Sequence, residues 1–300
     1  MPVTSVAMPA TITPRLLRQW PLPQPGDEAD KEERGRILVV GGAPEMPGAV
    51  ILAATAALRA GAGKLRIATC RSVAPLVAAA VPEARVKGLD ETASGAIDPG
   101  SAADLAGFAE GTQAVVIGPG LIDREATEEL VTRLVSRLRA TVVLDAVAQA
   151  ALGADPDLVR GRAAGAIVTP HATEMVALLG GAEEAVEGDP AASAMDAARR
   201  LGVVVALKGA TTHVAGPDGA CYRNCTGNVG LATSGSGDVL AGVIAGLAAR
   251  GADPLQAAAW GVYLHGRAGD RLARRVAPLG FLARELLAEI PPLMAGLAPR

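Results

Sequence analysis

Aromatic side chains are nearly missing from these 300 residues: two Trp, two Tyr and two Phe, 2% in all. Proteins that hold single-stranded nucleic acid stack its bases on rings, so no such partner is expected. Excess charge of either sign is missing as well. A formal net charge of -3 and a pI ≈ 5.7 leave no field that would hold a polyanion. Cysteine is scarce and odd in number, three in total, which does not make the disulfide framework of a secreted domain. Cys221 and Cys225 stand four apart, but no second Cys or His pair lies near enough to complete a zinc site. Cytosolic thiols are therefore expected. Long apolar runs are absent too. The stretch Val239–Ala249 stops at Arg250, too short to cross a bilayer. Met1–Trp20 lacks a basic start followed by an unbroken apolar segment. No membrane partner and a cytoplasmic location are the expectations. Lysine is the last scarcity. Lys31, Lys64, Lys87 and Lys208 are the only lysines among 28 cations. With the alanine excess, this arginine bias resembles a GC-rich bacterial genome, and it makes any lysine beside a glycine turn worth following.

What is present is Ala, Val and Leu. Half the residues are hydrophobic, and 36 Gly and 21 Pro are scattered between the apolar runs rather than clustered, as in a folded chain rather than a disordered one. Residues 1–34, with alternating Pro21, Pro23 and Pro25 and the charged run Asp27–Arg34, read as an N-terminal extension or strap. Residues 35–300 read as a single domain without linker or repeat. Short β-branched runs at Arg36–Val40, Leu65–Thr69, Ala114–Ile117, Thr141–Leu144, Ala166–Val168 and Val203–Leu207 predict strands. Helical stretches fall at Ala49–Ala60, Glu125–Leu138, Glu174–Leu179, Ala191–Leu201, Gly237–Ala249, Pro254–Leu272 and Leu279–Ile290. Thr212–Val214 and Ala220–Arg223 around Gly216-Pro217-Asp218-Gly219 predict a hairpin at one end. Continuous apolar strands alternating with helices define an α/β fold: a doubly wound, mostly parallel sheet with helices on both faces.

Ligands on such a sheet sit beyond the carboxyl ends of its strands, so the strand-end turns are the places to search. The sharpest is Thr226-Gly227-Asn228 followed by Leu231–Gly242, in which Gly235-Ser236-Gly237-Asp238 opens a long helix. Unpaired N–H groups and the helix dipole favour an anion there, and small residues let it approach. Gly235, Ser236 and Gly237 are the candidate anion hole, and Asp238 could accept a proton from an attacking hydroxyl. Read alone, Asp238 is only a good helix starter; the glycine run tips the reading toward chemistry. Lys208-Gly209-Ala210-Thr211-Thr212 follows a strand and could grip phosphate or ribose, or be a plain left-handed turn at Gly209. His171, in Thr169-Pro170-His171-Ala172-Thr173-Glu174, starts a helix after another strand. Asp145 could bind Mg²⁺ directly or through water, or cap the next helix. His213 and His265 read as structural. Gly61-Ala62-Gly63-Lys64 lacks the rest of a P-loop, and Gly118-Pro119-Gly120-Leu121-Ile122 lacks the last glycine of a dinucleotide fingerprint.

Taken in order, these motifs resemble the NAD(P)H-hydrate dehydratases. The resemblance includes Trp20-Pro21-Leu22-Pro23, Met46-Pro47-Gly48-Ala49 and the Ala-rich run to Gly63, and it covers about residues 12–290. It implies a ribokinase-like fold without a lid domain, and repair of hydrated NADH and NADPH with ADP or ATP and Mg²⁺. The ring hydroxyl would be phosphorylated and phosphate then eliminated, with Asp238 as the base. By the family pattern, Lys208, Gly209, Ala210, Thr211, Thr212 and Gly237 would line the nucleotide. Ala49, Gly120, His171 and Asp238 would contact the hydrate. The bacterial composition points to ADP, and the resemblance implies a homo-oligomer, a tetramer.

Three departures stand out. Ile122 replaces the usual Gly after Gly-Pro-Gly-Leu, Val147 replaces the second Asp of Leu-Asp-Ala-Asp, and Ala29-Asp30-Lys31-Glu32 replaces Ser-His-Lys-Gly. The second leaves Asp145 as a single carboxylate. The epimerase domain fused to many bacterial relatives has no counterpart in these residues, so epimerisation is not expected. The runner-up is a ribokinase-like kinase of a small alcohol such as a vitamin precursor. Such kinases usually carry Asn at the place of His171 and often Cys at that of Asp238. A third reading is a non-catalytic nucleotide-binding regulator.

Overall fold

The β-branched runs all pair. The computed structural model describes residues 9–26 and 32–298, and ten of its strands form one sheet. They are β1 (Ala10–Thr11), β2 (Arg36–Val40), β3 (Lys64–Cys70), β4 (Ala84–Leu89), β5 (Ala114–Ile117), β6 (Thr141–Leu144), β7 (Ala166–Val168), β8 (Val204–Leu207), β9 (Thr212–Ala215) and β10 (Cys221–Asn224). The order across the sheet is β1-β10-β9-β8-β7-β6-β5-β2-β3-β4. Every neighbouring pair is parallel except those made by β9 with β8 and with β10. The four residues of β5 and the four of β6 are all buried. Continuous apolar runs rather than alternation are what a sheet covered on both faces requires.

The helices are α1 (Pro14–Gln19), α2 (Pro47–Arg59), α3 (Ala74–Ala80), α4 (Ala102–Phe108), α5 (Arg124–Val135), α6 (Ala150–Ala154), α7 (Ala172–Leu179), α8 (Glu183–Gly188), α9 (Pro190–Leu201), α10 (Ser236–Ala249), α11 (Pro254–Arg275) and α12 (Ala283–Ala295). One core contains residues of α2, α10, α11 and α12 against the sheet; the other contains residues of α4, α5, α6, α7 and α9 on the opposite face. Small side chains set the first core. A Cβ on Gly242 of α10 would stand 2.2 Å from the Ala53 carbonyl oxygen of α2, and one on Gly246 2.5 Å from that of Ala57. The two Ala-rich helices thus bury their small faces against each other inside the chain.

Several elements depart from the sequence reading. Strand β4 and helices α3 and α4 come from segments without a clear period. Helix α12 starts at Ala283 rather than Leu279, because Gly280 holds a left-handed φ of 96° and Glu285 Oε2 accepts from the Leu282 N–H at 2.7 Å. The hairpin β9–β10 is not the sheet's edge, since β1 runs parallel beside β10. Residues 9–26 are sewn into the same body: Leu17 is fully buried, and the Trp20 carbonyl accepts from Trp260 Nε1 at 2.8 Å and Gln256 Nε2 at 3.1 Å. Of the Ala29-Asp30-Lys31-Glu32 departure, residues 29–31 lie outside the described residues.

Candidate active site

The strand order reverses between β2 and β5, the switch point at which open α/β sheets form their ligand crevice. Two glycine turns meet in it. The Gly42 N–H donates to the Pro119 carbonyl at 2.8 Å, and a Cβ on Gly41 would stand 2.1 Å from that same oxygen. Gly120 has φ of 72° and sits against the first turn of α2: a Cβ there would meet the Met46 carbonyl oxygen at 2.6 Å and Ala49 Cβ at 2.9 Å. Ala49 and Gly120, both expected to contact the hydrate, are therefore neighbours. This half of the crevice is built from backbone and small side chains.

Along the same strand ends the character changes. Asp145, at the end of β6, is 3% exposed. Its Oδ1 accepts from the Thr169 hydroxyl at 2.5 Å and lies 3.5 Å from Lys208 Nζ. The same ammonium lies 3.4 Å from Glu174 Oε2. Burial opposes the charge on Lys208, but the carboxylates of Asp145 and Glu174 outweigh it and hold its pKa above the ordinary value. A Cβ on Gly237 would stand 3.8 Å from Lys208 Nζ, so the lone charged lysine of this loop faces the first turn of α10.

That first turn starts from Gly235, whose φ of 87° is left-handed and whose Cβ would collide with Leu52 Cδ1 at 2.6 Å. Among the described residues the N–H groups of Gly235 and Gly237 have no backbone acceptor. Ser236 differs from the expected anion hole. Its N–H donates to the Thr233 carbonyl at 3.2 Å, because the tight turn closes on it, and its hydroxyl meets His265 Nε2 at 3.0 Å. Asp238 is half-buried, and burial, then the Asp145 carboxylate, push its pKa up to about 6 while Lys208 pulls it down. A carboxylate with that value, beside a turn whose Gly235 and Gly237 N–H groups have no backbone acceptor, is ionised near neutral pH and basic enough to take a proton from a hydroxyl.

A family model described as NAD(P)H-hydrate dehydratase matches residues 37–292. The chain is 50% identical to the ADP-dependent (S)-NAD(P)H-hydrate dehydratase of Xanthomonas campestris pv. campestris over 95% of this chain and 96% of that one.

The chain belongs to the NAD(P)H-hydrate dehydratase family.

Its fold matches the ADP/ATP-dependent NAD(P)H-hydrate dehydratase of Bacillus subtilis, co-crystallised with ATP/Mg²⁺, with a TM-score of 0.82 at 31% identity, over 97% of this chain and 99% of that one. A ribokinase-like superfamily protein of Enterococcus faecalis superposes with a TM-score of 0.82 at 26% identity, over 96% of each chain. The dehydratase-family chain thus has the ribokinase-like fold read from its sequence motifs.

Against the remaining site expectations the geometry is mixed. Lys208, Gly237 and Asp238 come together, as expected. Gly209 and Ala210 are exposed and Thr211 and Thr212 half-exposed, along the outer rim of the β8–β9 turn. Gly209 does not have the left-handed φ that a plain αL turn would need. His171 caps α7: its Nδ1 accepts from the Glu174 N–H at 3.3 Å while Glu174 Oε2 accepts from the His171 N–H at 2.8 Å. Asp145 makes no side-chain cap to the turn that follows it, which corrects the capping alternative; its oxygen is taken by Thr169 and Lys208 instead. One residue was missed. Glu174 links the His171 turn to Lys208, and the His-x-x-Glu spacing of a capping box was the signal for it. His265, read as structural, is buried and meets the Ser236 hydroxyl.

The residues suit Mg²⁺. No group of three or more His, Cys, Asp or Glu that could hold a metal occurs among the described residues. Mg²⁺ commonly takes only one or two carboxylates and completes its shell with substrate phosphates and water. Asp145, whose carboxylate also acts on Asp238 of the α10 turn, is one hard oxygen donor of that kind.

Proposed function

We propose that this protein returns hydrated NADH and NADPH, in the S form, to NADH and NADPH with ADP as phosphoryl donor. One observation carries the reading: the Asp238 carboxylate stands in a glycine turn at the start of α10, next to the Lys208 ammonium, in a member of the dehydratase family. The 50% identity to an enzyme named as ADP-dependent supports ADP over ATP.

In this reading the ring hydroxyl loses its proton to Asp238 as its oxygen bonds to the β-phosphorus of ADP, and AMP departs. The new C–O–P ester then breaks at carbon. Phosphate leaves with the bonding pair, the neighbouring ring carbon gives up a proton, and the ring double bond returns. The N–H groups of Gly235 and Gly237 and the Lys208 ammonium face the charge that develops on the transferred group, the main lever in phosphoryl transfer. Lys208 is held ready by Asp145 and Glu174. Ala49, Gly120 and His171 would border the hydrate, and Gly209, Ala210, Thr211 and Thr212 the nucleotide. Mg²⁺, which Asp145 would hold together with the phosphates, would supply further neutralisation of phosphate charge. A homotetramer and a cytoplasmic location complete the reading. For the second of these, the structure contributes only that no helix among its described residues is long and apolar enough to cross a membrane.

The test is direct. Hydrated NADH is incubated with ADP or ATP and Mg²⁺, and recovery of the dihydronicotinamide absorbance is followed. Recovery with ADP is expected. Phosphorylation of a hydroxymethylpyrimidine, thiazole or pyridoxal compound without any recovery would make the protein a small-alcohol kinase. Nucleotide binding with neither reaction would make it a regulator.

A further inference from the structure

We propose that His265 is the positioning residue of this anion hole: its imidazole clamps Ser236, and through it holds the turn Gly235–Asp238 in the register that presents the Gly237 N–H and the Asp238 carboxylate. The proposal rests on the reading of α10 as the phosphoryl-binding turn.

Helix α10 is locked along its length by close packing. Gly242 and Gly246 seat it on α2, and Gly261 of α11 lies against Ile244, where a Cβ would come within 2.5 Å of Ile244 Cγ1. His265 follows Gly261 by four residues and shares its face. There an apolar residue would fill the seam equally well, as Ala257, Ala258 and Leu264 fill the rest of the core around it. The chain instead places an imidazole, and its ring nitrogen meets the hydroxyl of the first residue of α10 at 3.0 Å. Ser236 is itself only 5% exposed, so no solvent competes for that hydroxyl. A buried polar pair of this kind holds direction where apolar packing holds only distance.

The imidazole is also neutral. Burial pushes its pKa down to about 4, a hydrogen bond with the Ser236 backbone works against that, and the Lys208 ammonium adds to the lowering. A neutral ring orients Ser236 without placing a second cation beside Lys208, so the charge of the hole stays with the lysine. The neighbouring turn of α11 continues the same support, since Gly266 lies against Thr226, whose hydroxyl donates to Asn224 Oδ1 at 2.9 Å. The Thr-Gly-Asn segment and the α10 entrance are therefore both seated on α11, one residue apart.

Kinetics of hydrated NADH with ADP and Mg²⁺ are compared for the parent, His265→Phe, His265→Gln, Ser236→Ala and the double variant His265→Phe/Ser236→Ala, with thermal unfolding to confirm folding. Displacement of a reacting group by about 1 Å costs up to about 10²-fold, so His265→Phe should lower kcat by roughly 10–100-fold. KM for ADP should change by less than about threefold, since binding contacts remain. His265→Gln keeps a group able to bond Ser236 and should recover most of the rate. The double variant should be no slower than the worse single one, because both changes break one contact. Parent-like kcat in His265→Phe, equal loss in His265→Gln, or multiplied losses in the double variant would overturn the clamp.

A second readout needs no turnover. With ¹⁵N-labelled histidine the imidazole signals come from only three rings, those of His171, His213 and His265. Inorganic phosphate should shift the His265 signal in the parent and not in Ser236→Ala. If the parent does not act on the hydrate but phosphate still moves His265 through Ser236, the dehydratase reading falls and the clamp stands. If the parent turns the hydrate over while His265 ignores phosphate, the clamp falls and the dehydratase reading stands.

Discussion

The two halves of the crevice work by different physics. At the switch point, Gly41, Gly42, Pro119, Gly120 and Ala49 offer shape: backbone against backbone, with contacts too close for any added carbon. From β6 to β8, next to that switch point, Asp145, Glu174, Lys208 and Asp238 offer charge, in a largely half-buried cluster whose members act on one another. The difference teaches how each half fails. The first fails when volume is added, whatever the pH. The second fails when a proton or a charge is moved, with volume unchanged.

The largest effect is expected from a change in the second half that keeps its shape. Asp238→Asn should lower turnover by roughly 10²–10⁴-fold, the usual contribution of a general base, while ADP still binds in a calorimetric titration. In the parent, kcat/KM should fall as pH drops below about 6, where Asp238 takes up its proton. The same raised pKa fixes a stability effect of opposite sign. Ionised Asp238 weighs against the fold above about pH 6, and this cost disappears as pH falls toward the ordinary carboxylate value. The Asn variant should therefore be more stable than the parent at pH 8, on the order of 2 kcal/mol, and equal to it near pH 4 in denaturant titrations. A variant that keeps the parent's rate would remove the base assignment and the contrast with it.

The next effect tests the first half. Gly120→Ala forces a left-handed alanine against the Met46 carbonyl and Ala49, and should cost about 1–3 kcal/mol in urea unfolding. Its KM for the hydrate should rise with the pH profile unmoved. A shifted acid limb would mean that the two halves are electrically coupled and the comparison is too sharp.

The smallest effect belongs to His171, which is tied to the charged half through Glu174. His171→Ala removes a helix cap, about 0.5–2 kcal/mol, and should weaken hydrate binding more than nucleotide binding. Equal loss of both, measured as Kd for ADP and KM for the hydrate, would count against its place beside the hydrate.

How much of this was legible beforehand differs by element. Strands β5, β6 and β7 were read to the residue because buried parallel strands leave unbroken β-branched runs. Strand β4, Ala-Arg-Val-Lys-Gly-Leu, was not read, because an edge strand carrying Arg85 and Lys87 shows neither a continuous apolar run nor a clean turn on each side. The α10 turn and Lys208 were legible because glycine and a rare lysine mark strand ends. The capping role offered for Asp145 was wrong, since a side chain's partner is chosen by what lies beside it in space. Ser236 was read as a backbone donor, but the turn that makes the hole also consumes that N–H.

The sequence alone determined the α/β architecture and the family, because period, glycine placement and motif order are local properties of the chain. Only the tertiary structure decided that Lys208 lies between Asp145 and Glu174, that Asp238 is lifted to a pKa of about 6, and that His265 of a distant helix holds Ser236. These depend on burial and on distances between residues far apart in the chain, and charges and hydrogen bonds act through space rather than along the backbone.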